Sequence, residues 1–488
     1  MTASEAPHSK SLALALLALT QFVVILDASI VNVALPSIGP DLKIAQDDLT
    51  WIVNAYTLTF GGFLLLGGRL ADLLGRRRMF MSGLILFGIA SLAGGFAESE
   101  VQLVIARAVQ GMGAAIVSPA ALSIITTTFA EGAERNRALG VWGAVAGSGG
   151  AAGVLLGGVL TEYLGWEWVL FVNVPIALLA AAAAPRLLGE SRDERDSNFD
   201  LPGAVSVTAG LAVLVYALVD AEQAGWASTQ TLVLIAVAAT LLAVFIAIES
   251  RARHPLMPFS IFRLRTLRGA NVIGLLVGMS LFSMFFFISL YLQQVLGYEP
   301  LTAGLAYLPL SVAIIVSAGA ASQLVTRIGF KWTLVSGLAF VSAGLIWFAQ
   351  VSAPGGSYLG DVLFPSLLAA IGLGLAFVSV TIAAVTGTER HEAGLASGLI
   401  NTAQQVGGAL GLAVTATVAT AATNDAFAAG ERVPTVALTQ GFQAAFLTCA
   451  GLAALGILLA MLLISSRDSR EHAAAARSGE AEVVPVAR

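Results

Sequence analysis

Stretches of about 20 mostly apolar residues recur along this 488-residue chain, and each is long enough to cross a hydrocarbon layer as a helix. Fourteen can be drawn, at roughly 12–35, 49–72, 79–97, 101–128, 138–163, 168–188, 203–220, 229–249, 268–292, 302–326, 331–351, 360–384, 394–422 and 440–466. None has the alternation of a barrel strand about ten residues long. Hydrophobic residues make up 57% of the chain and charged residues 11%, against about 25% charged in an ordinary soluble domain. So few charges could not cover the surface of a soluble protein this long. The expectation is an all-α polytopic membrane protein with 14 transmembrane helices.

Lysine and arginine orient the spans, because basic residues collect in the cytoplasmic connections. With the N-terminus inside, 22 of the 25 Lys and Arg fall on the cytoplasmic side. Two, Lys43 and Arg432, fall outside, and Arg107 lies within a span. Both termini are therefore expected in the cytoplasm, with an even number of crossings. The first run, Ser11 to Ala34, has no small-residue cleavage site at its end and reads as a span rather than a signal peptide.

The scarce residues exclude whole classes of chemistry. Cys449 is the one cysteine, so no intrachain disulfide or thiolate metal site is expected. His8, His254, His391 and His472 all stand in polar connections or tails, which argues against an intramembrane metal or haem. Lys10, Lys43 and Lys331 are the lysines, and none belongs to a phosphate-binding loop. Uphill work would then need an ion gradient rather than ATP. A net charge of −5 argues against nucleic acid.

An internal repeat is legible. Gly68–Arg78 lies on Ser322–Trp332 at an offset of 254, and Gly140, Gly149, Gly150 and Gly153 fall on Gly398, Gly407, Gly408 and Gly411 at an offset of 258. The expected organisation is a six-helix repeat over 1–190, a linker with inserted helices 7 and 8 over 191–267, a second six-helix repeat over 268–466, and a disordered cytoplasmic tail over 467–488. Two such repeats suit alternating access, with substrate held between them near the midplane.

Charge inside a bilayer is costly and needs a reason. Two charged residues sit well inside spans, Asp27 and Arg107. Counting about 1.5 Å per residue puts both in the outer half of the first repeat, about 12 Å and about 9 Å below its outer face. A structural ion pair would explain them, and so would a proton-linked carboxylate whose affinity is set by burial and by the arginine. Gln110 and Asn32, each near one turn away, could complete a polar network. Gly149, Gly153 and Gly157 recur every fourth residue, a face for close helix packing or for sliding. Asn401, Gln404 and Gln405 on the thirteenth span, Phe282 and Phe286 on the ninth, and Asn32 and Gln110 themselves are candidate pocket residues.

These motifs resemble the major facilitator superfamily, in particular its fourteen-helix drug:proton antiporters of the EmrB/QacA type. The resemblance covers nearly the whole chain. Leu26–Pro36 (LDASIVNVALP) looks like that branch's helix-1 signature, Gly68–Arg78 its loop between helices 2 and 3, and Arg107–Gly113 (RAVQGMG) its helix-4 motif. Trp166–Pro175, Tyr291–Gly297 and Gly394–Gly398 are similar to further family blocks. The resemblance implies that Gly68, Asp72, Gly75 and Arg76 form a cytoplasmic gate. Asp72 would meet the N-terminus of span 13, while Arg107 and Asp27 would serve proton coupling. Two departures stand out: Val154 follows Gly153 where the antiporter motif has proline, and Glu167 replaces the arginine of a Trp-Arg-Trp block.

The expected function is proton-coupled efflux of hydrophobic drugs across a bacterial plasma membrane by a monomer, with no cofactor, no metal and no enzymatic activity. A dedicated exporter of one antibiotic, siderophore or lipid is the sister reading. A membrane-embedded lipid-modifying enzyme or a non-transporting sensor is the remote one.

Overall fold

The computed structural model describes residues 7–44, 49–191, 200–252, 255–353, 355–388 and 392–478. Among them all regular structure is helical. The first half of the chain builds α1 (Pro7–Leu42), α2 (Thr50–Leu74), α3 (Arg76–Gly95), α4 (Glu100–Thr128), α5 (Ala133–Tyr163), α6 (Trp168–Phe171) and α7 (Asn173–Leu187). Next come α8 (Leu201–Ala224) and α9 (Thr229–Glu249). The second half builds α10 (Arg265–Leu290), α11 (Pro300–Ala306), α12 (Leu308–Ile328), α13 (Phe330–Phe348), α14 (Phe364–Val385), α15 (Ala393–Ala428), α16 (Pro434–Leu463) and α17 (Ser466–Ser478).

Twelve helices among the described residues are long and apolar enough to cross a membrane. α5 makes a thirteenth if its two parts, which meet at 42° around residue 151, are one span. A shorter apolar stretch, Pro202–Leu218, lies in α8.

Proline and glycine set the helix boundaries. Pro202, Pro300, Pro309 and Pro434 occupy first turns, where their missing N–H has no partner to lose. Gly75 separates α2 from α3 at φ +109°, and Gly329 separates α12 from α13 at φ +85°. Only glycine takes such values freely. These two turns are the pair aligned by the internal repeat.

The repeat extends to packing. α1 lies against α5, while α2 and α3 each lie against α4; likewise α10 lies against α15, while α12 and α13 each lie against α14. The halves meet along α5–α12 and α2–α15. The α8–α9 pair covers part of that seam. An added Cβ on Gly62 of α2 would meet Ala212 Cβ of α8 at 3.1 Å. Trp51 of α2 stacks on Tyr216 at 5.6 Å between centroids. Trp226, just past α8, donates Nε1–H to Thr417 Oγ1 of α15 at 2.6 Å.

The tail is not disordered from residue 467. Residues 466–478 form α17, which packs on α12 and α13. Ser469, His472, Ala473 and Ala476 are buried, and their spacing is that of one helix face. Ser469 Oγ accepts the Lys331 N–H at 3.0 Å. Lys331 Nζ in turn donates to Met461 O and Ile464 O, both at 2.8 Å, tying down the end of α16. The remainder of the expected tail, 479–488, lies outside the described residues, as does 192–199 of the linker before α8.

Candidate functional site: a buried ion pair and an inter-half latch

Asp27 and Arg107 are both fully buried and directly paired, with Arg107 Nη1 donating to Asp27 Oδ2 at 2.6 Å. Three further helices, with α4 itself, complete the cluster. From α2, Ile52 O accepts Arg107 Nε–H at 3.2 Å, and the Tyr56 ring lies under the guanidinium at 4.4 Å. From α4 itself, Gln110 Oε1 accepts a second bond from Arg107 Nη1 at 2.7 Å, and Gln110 Nε2 donates to Asp27 Oδ1 at 2.8 Å. From α7, Asn173 Nδ2 donates to the same oxygen at 2.7 Å. From α3, Ser91 Oγ receives Gln110 Nε2 at 3.1 Å and Asn173 Nδ2 at 3.2 Å. A carboxylate taken from water needs this many donors to stay charged.

Asn32, expected in this network, is not part of it. It is exposed, and its Nδ2 donates to Ala28 O of its own helix at 3.2 Å. At 100° per residue, a residue five positions after Asp27 points about 140° away from it. Gln110, grouped in the sequence with pocket residues, is completely buried inside the ion-pair cluster. Sequence reasoning missed Asn173, Ser91 and Tyr56. The signal for Asn173 was an amide within the apolar run after Trp166.

The second site lies at the arginine-rich end. Asp72, fully buried, accepts Gly394 N–H and Leu395 N–H at 3.0 Å each, at the first turn of α15. A helix N-terminus with free N–H groups favours an anion there. Arg76, also buried, holds the same carboxylate through Nε at 3.1 Å and Nη2 at 2.6 Å. Its backbone N–H reaches Ser191 O at 2.9 Å. The helices touch backbone to backbone here, since a Cβ on Gly68 would meet Gly394 O at 2.5 Å. Asp72 therefore joins the two halves.

The α5 glycines pack on α1. A Cβ on Gly149 would meet Ile25 at 2.9 Å, one on Gly153 would overlap Ser29 Oγ, and one on Gly157 would meet Ile30 O at 2.8 Å. Gly407 and Gly411 pack on Leu275 and Met279 of α10 in the same manner. Asn32 lies seven residues after Ile25, as Phe282 lies seven after Leu275, so the repeat puts these two exposed residues at matching places. Phe282 covers Gly408, whereas its repeat mate Gly150 opens onto free space. Phe286 is exposed on the same face one turn on. Asn401 bonds back to Ser397 O at 2.8 Å, and Gln405 is half-buried. Gln404 is buried against Gly278, and its Nε2 has no partner among the described residues.

Two like bundles, a buried ion pair in the first and a carboxylate latch between them define a multi-pass membrane protein of transporter type. The chain belongs to the Major Facilitator Superfamily, whose family model matches residues 17–412. It is 39% identical over 470 residues to the puromycin resistance protein pur8 of Streptomyces alboniger, covering 95% of this chain and 92% of that one. It is 42% identical over 410 residues to the cephamycin export protein CmcT of Amycolatopsis lactamdurans, covering 83% and 84%. Among solved structures it resembles the human organic anion transporter MFSD10, with a TM-score of 0.66 and 16% identity over 93% of this chain and all of that one. The last likeness concerns the fold alone.

Proposed function

We propose that the protein exports hydrophobic small molecules, antibiotics in particular, from a bacterial cell in exchange for protons. In this reading it makes fourteen crossings of the plasma membrane, with α8 and α9 as the seventh and eighth, and acts as a monomer. The arginine-rich end faces the cytoplasm, as the distribution of Lys and Arg favours. The carrying observation is the Asp27–Arg107 pair. Two opposite charges buried in a span cost more than a well-packed apolar pair, so a role beyond holding α1 to α4 accounts for them better. Protonation of Asp27 would release Arg107, and the Asp72 latch would open and re-form as the halves rock. Asn32, Gly150, Phe282 and Phe286 would face substrate between them.

The relatives' names support export as the direction. They include proteins named for puromycin resistance, cephamycin export, and tetracenomycin C resistance and export. Single-compound names also favour a second reading, a dedicated exporter of one product. A relative named as a multidrug resistance protein favours breadth. Drug resistance of a pump-deficient host, scored across puromycin, lincomycin and unrelated dyes, separates the two: one protected compound means a dedicated exporter. Proton coupling is tested in proteoliposomes with an imposed pH gradient. Asp27→Asn should keep expression and fold but lose gradient-driven transport, and wild-type transport by that variant would refute the assignment.

A further inference from the structure

The bonds around Asp27 run in one direction. Arg107 Nη1, Gln110 Nε2 and Asn173 Nδ2 all donate to the carboxylate. This is a cage for the ionised form, and a protonated Asp27 would need the opposite, an acceptor for its O–H. The candidates can be taken in turn. Ser91 Oγ already receives two N–H groups and gives its own proton to Leu170 O at 2.8 Å. Tyr56 O–H is committed to Val24 O at 3.1 Å. Gln110 Oε1 is held by Arg107, and turning that amide would set its NH2 against the guanidinium. Asn173 Oδ1 remains. It is buried, it has no hydrogen-bond partner among the described residues, and it belongs to the amide that already touches Asp27.

A buried carbonyl oxygen left unpaired carries a cost of about 1–3 kcal/mol, so its persistence beside the proton site calls for a use. We propose that Asn173 is a two-way amide that serves both protonation states of Asp27. With Asp27 ionised, Nδ2–H donates to Oδ1, as seen here. When a proton from hydronium adds to the carboxylate, the amide turns half a revolution about its last bond and Oδ1 accepts the new O–H. A hydronium ion gives up one O–H bond as the carboxylate gains one, leaving water, and no other covalent bond changes. The pair with Arg107 is then free to loosen without stranding a buried acid proton. Asn173 is thus a positioning residue acting through Asp27. The proposal rests on the proton-coupled reading above.

The groups facing Asp27 give the sign of the test. Arg107 from α4 and Tyr56 from α2 are the titratable ones; Gln110 from α4, Ser91 from α3 and Asn173 from α7 are neutral. Asn173→Leu keeps the branched shape of the side chain and removes both functions. The ionised form keeps two of its three donors, while the protonated form loses its one acceptor, so the protonated form suffers more. In proteoliposomes, the pH at which proton-driven transport is half-maximal should move down by about one unit, tenfold in proton concentration. Substrate counterflow without a gradient should stay within about twofold of wild type. Asn173→Gln, which restores an amide, should recover part of the shift.

A midpoint that rises or stays fixed in Asn173→Leu overturns the proposal, because a residue that only steadies the ionised pair would act in that way. Loss of counterflow together with driven transport also overturns it, as a purely structural role. Asp27→Asn keeps the two readings apart. If that variant is still driven by the gradient, the proton assignment itself fails; if it is inert while Asn173→Leu matches wild type, the amide proposal alone fails.

Discussion

Gly150 and Gly153 stand three residues apart on α5 in opposite surroundings. A methyl group on Gly153 would collide with Ser29 Oγ and come within 2.7 Å of Leu26 O, forcing α1 and α5 apart. Overpacking of this kind costs about 1–3 kcal/mol. A methyl on Gly150 would meet nothing within 4 Å, and alanine is better than glycine in a helix by about 1 kcal/mol. Gly153→Ala should therefore lower the thermal midpoint of the detergent-solubilised protein, while Gly150→Ala should hold or raise it. Equal losses would mean that the two positions are packed alike. Both glycines were marked by the repeat in the sequence, yet the contrast between them was not legible there. It depends on what stands across from each, Ser29 in one case and open space in the other. Asn173 escaped for the same reason: its partner Asp27 is 146 residues away, and no spacing rule joins them.

At the level of elements, α17 is the largest departure from expectation. Its alanine-rich, charged sequence carries no strong apolar stripe, and it is helical because other helices supply the partners. His472 Nε2 bonds Asn136 Oδ1 of α5 at 3.0 Å, and Asn136 Nδ2 reaches Thr326 Oγ1 of α12 at 3.2 Å. The His472 ring also meets Phe330 edge-on. The helix thus touches both halves at the arginine-rich end. Burial, with Arg135 nearby, pushes His472 down from the usual 6.5 to about 4. The docked helix therefore prefers a neutral ring, whereas an undocked helix would bind a proton below about pH 6.5. Docking should be fully favourable above that value, weaken as pH falls from about 6.5 to about 4, and change no further below. Protease cleavage between α16 and α17 should accelerate across that window in wild type. His472→Gln, which keeps a donor but does not titrate there, should flatten the profile, and an unchanged profile would disconnect the histidine from docking.

For the molecule as a whole, the sequence carried the repeat because backbone geometry prints itself as glycine. Gly75 and Gly329 occupy left-handed turns at equivalent places, and the α1–α5 and α10–α15 contacts use glycines in equivalent register. The seat of α8 against α2 and α15 was less legible, because an apolar run does not say which helices it lies beside. Topology can be measured directly. Cys449 is buried and is the chain's one cysteine, so its replacement by serine provides a background for single cysteines. With fourteen crossings, cysteines at Lys43 and Arg432 should react with an impermeant thiol reagent in intact cells. Those at Arg251 and Arg470 should react only after permeabilisation. A cysteine at Ala227, in the turn between α8 and α9, should also react in intact cells, and its labelling only after permeabilisation would show that α8 and α9 do not cross.

The central claim is that one buried carboxylate exchanges its proton as substrate is handled. Its most direct test is the proton count of the purified protein in weakly buffered detergent, read with a pH-sensitive dye as an exported antibiotic is added. Wild type should release protons on addition, with a dose dependence matching binding, and Asp27→Asn should bind the compound with no release. Equal release from both proteins would contradict the account.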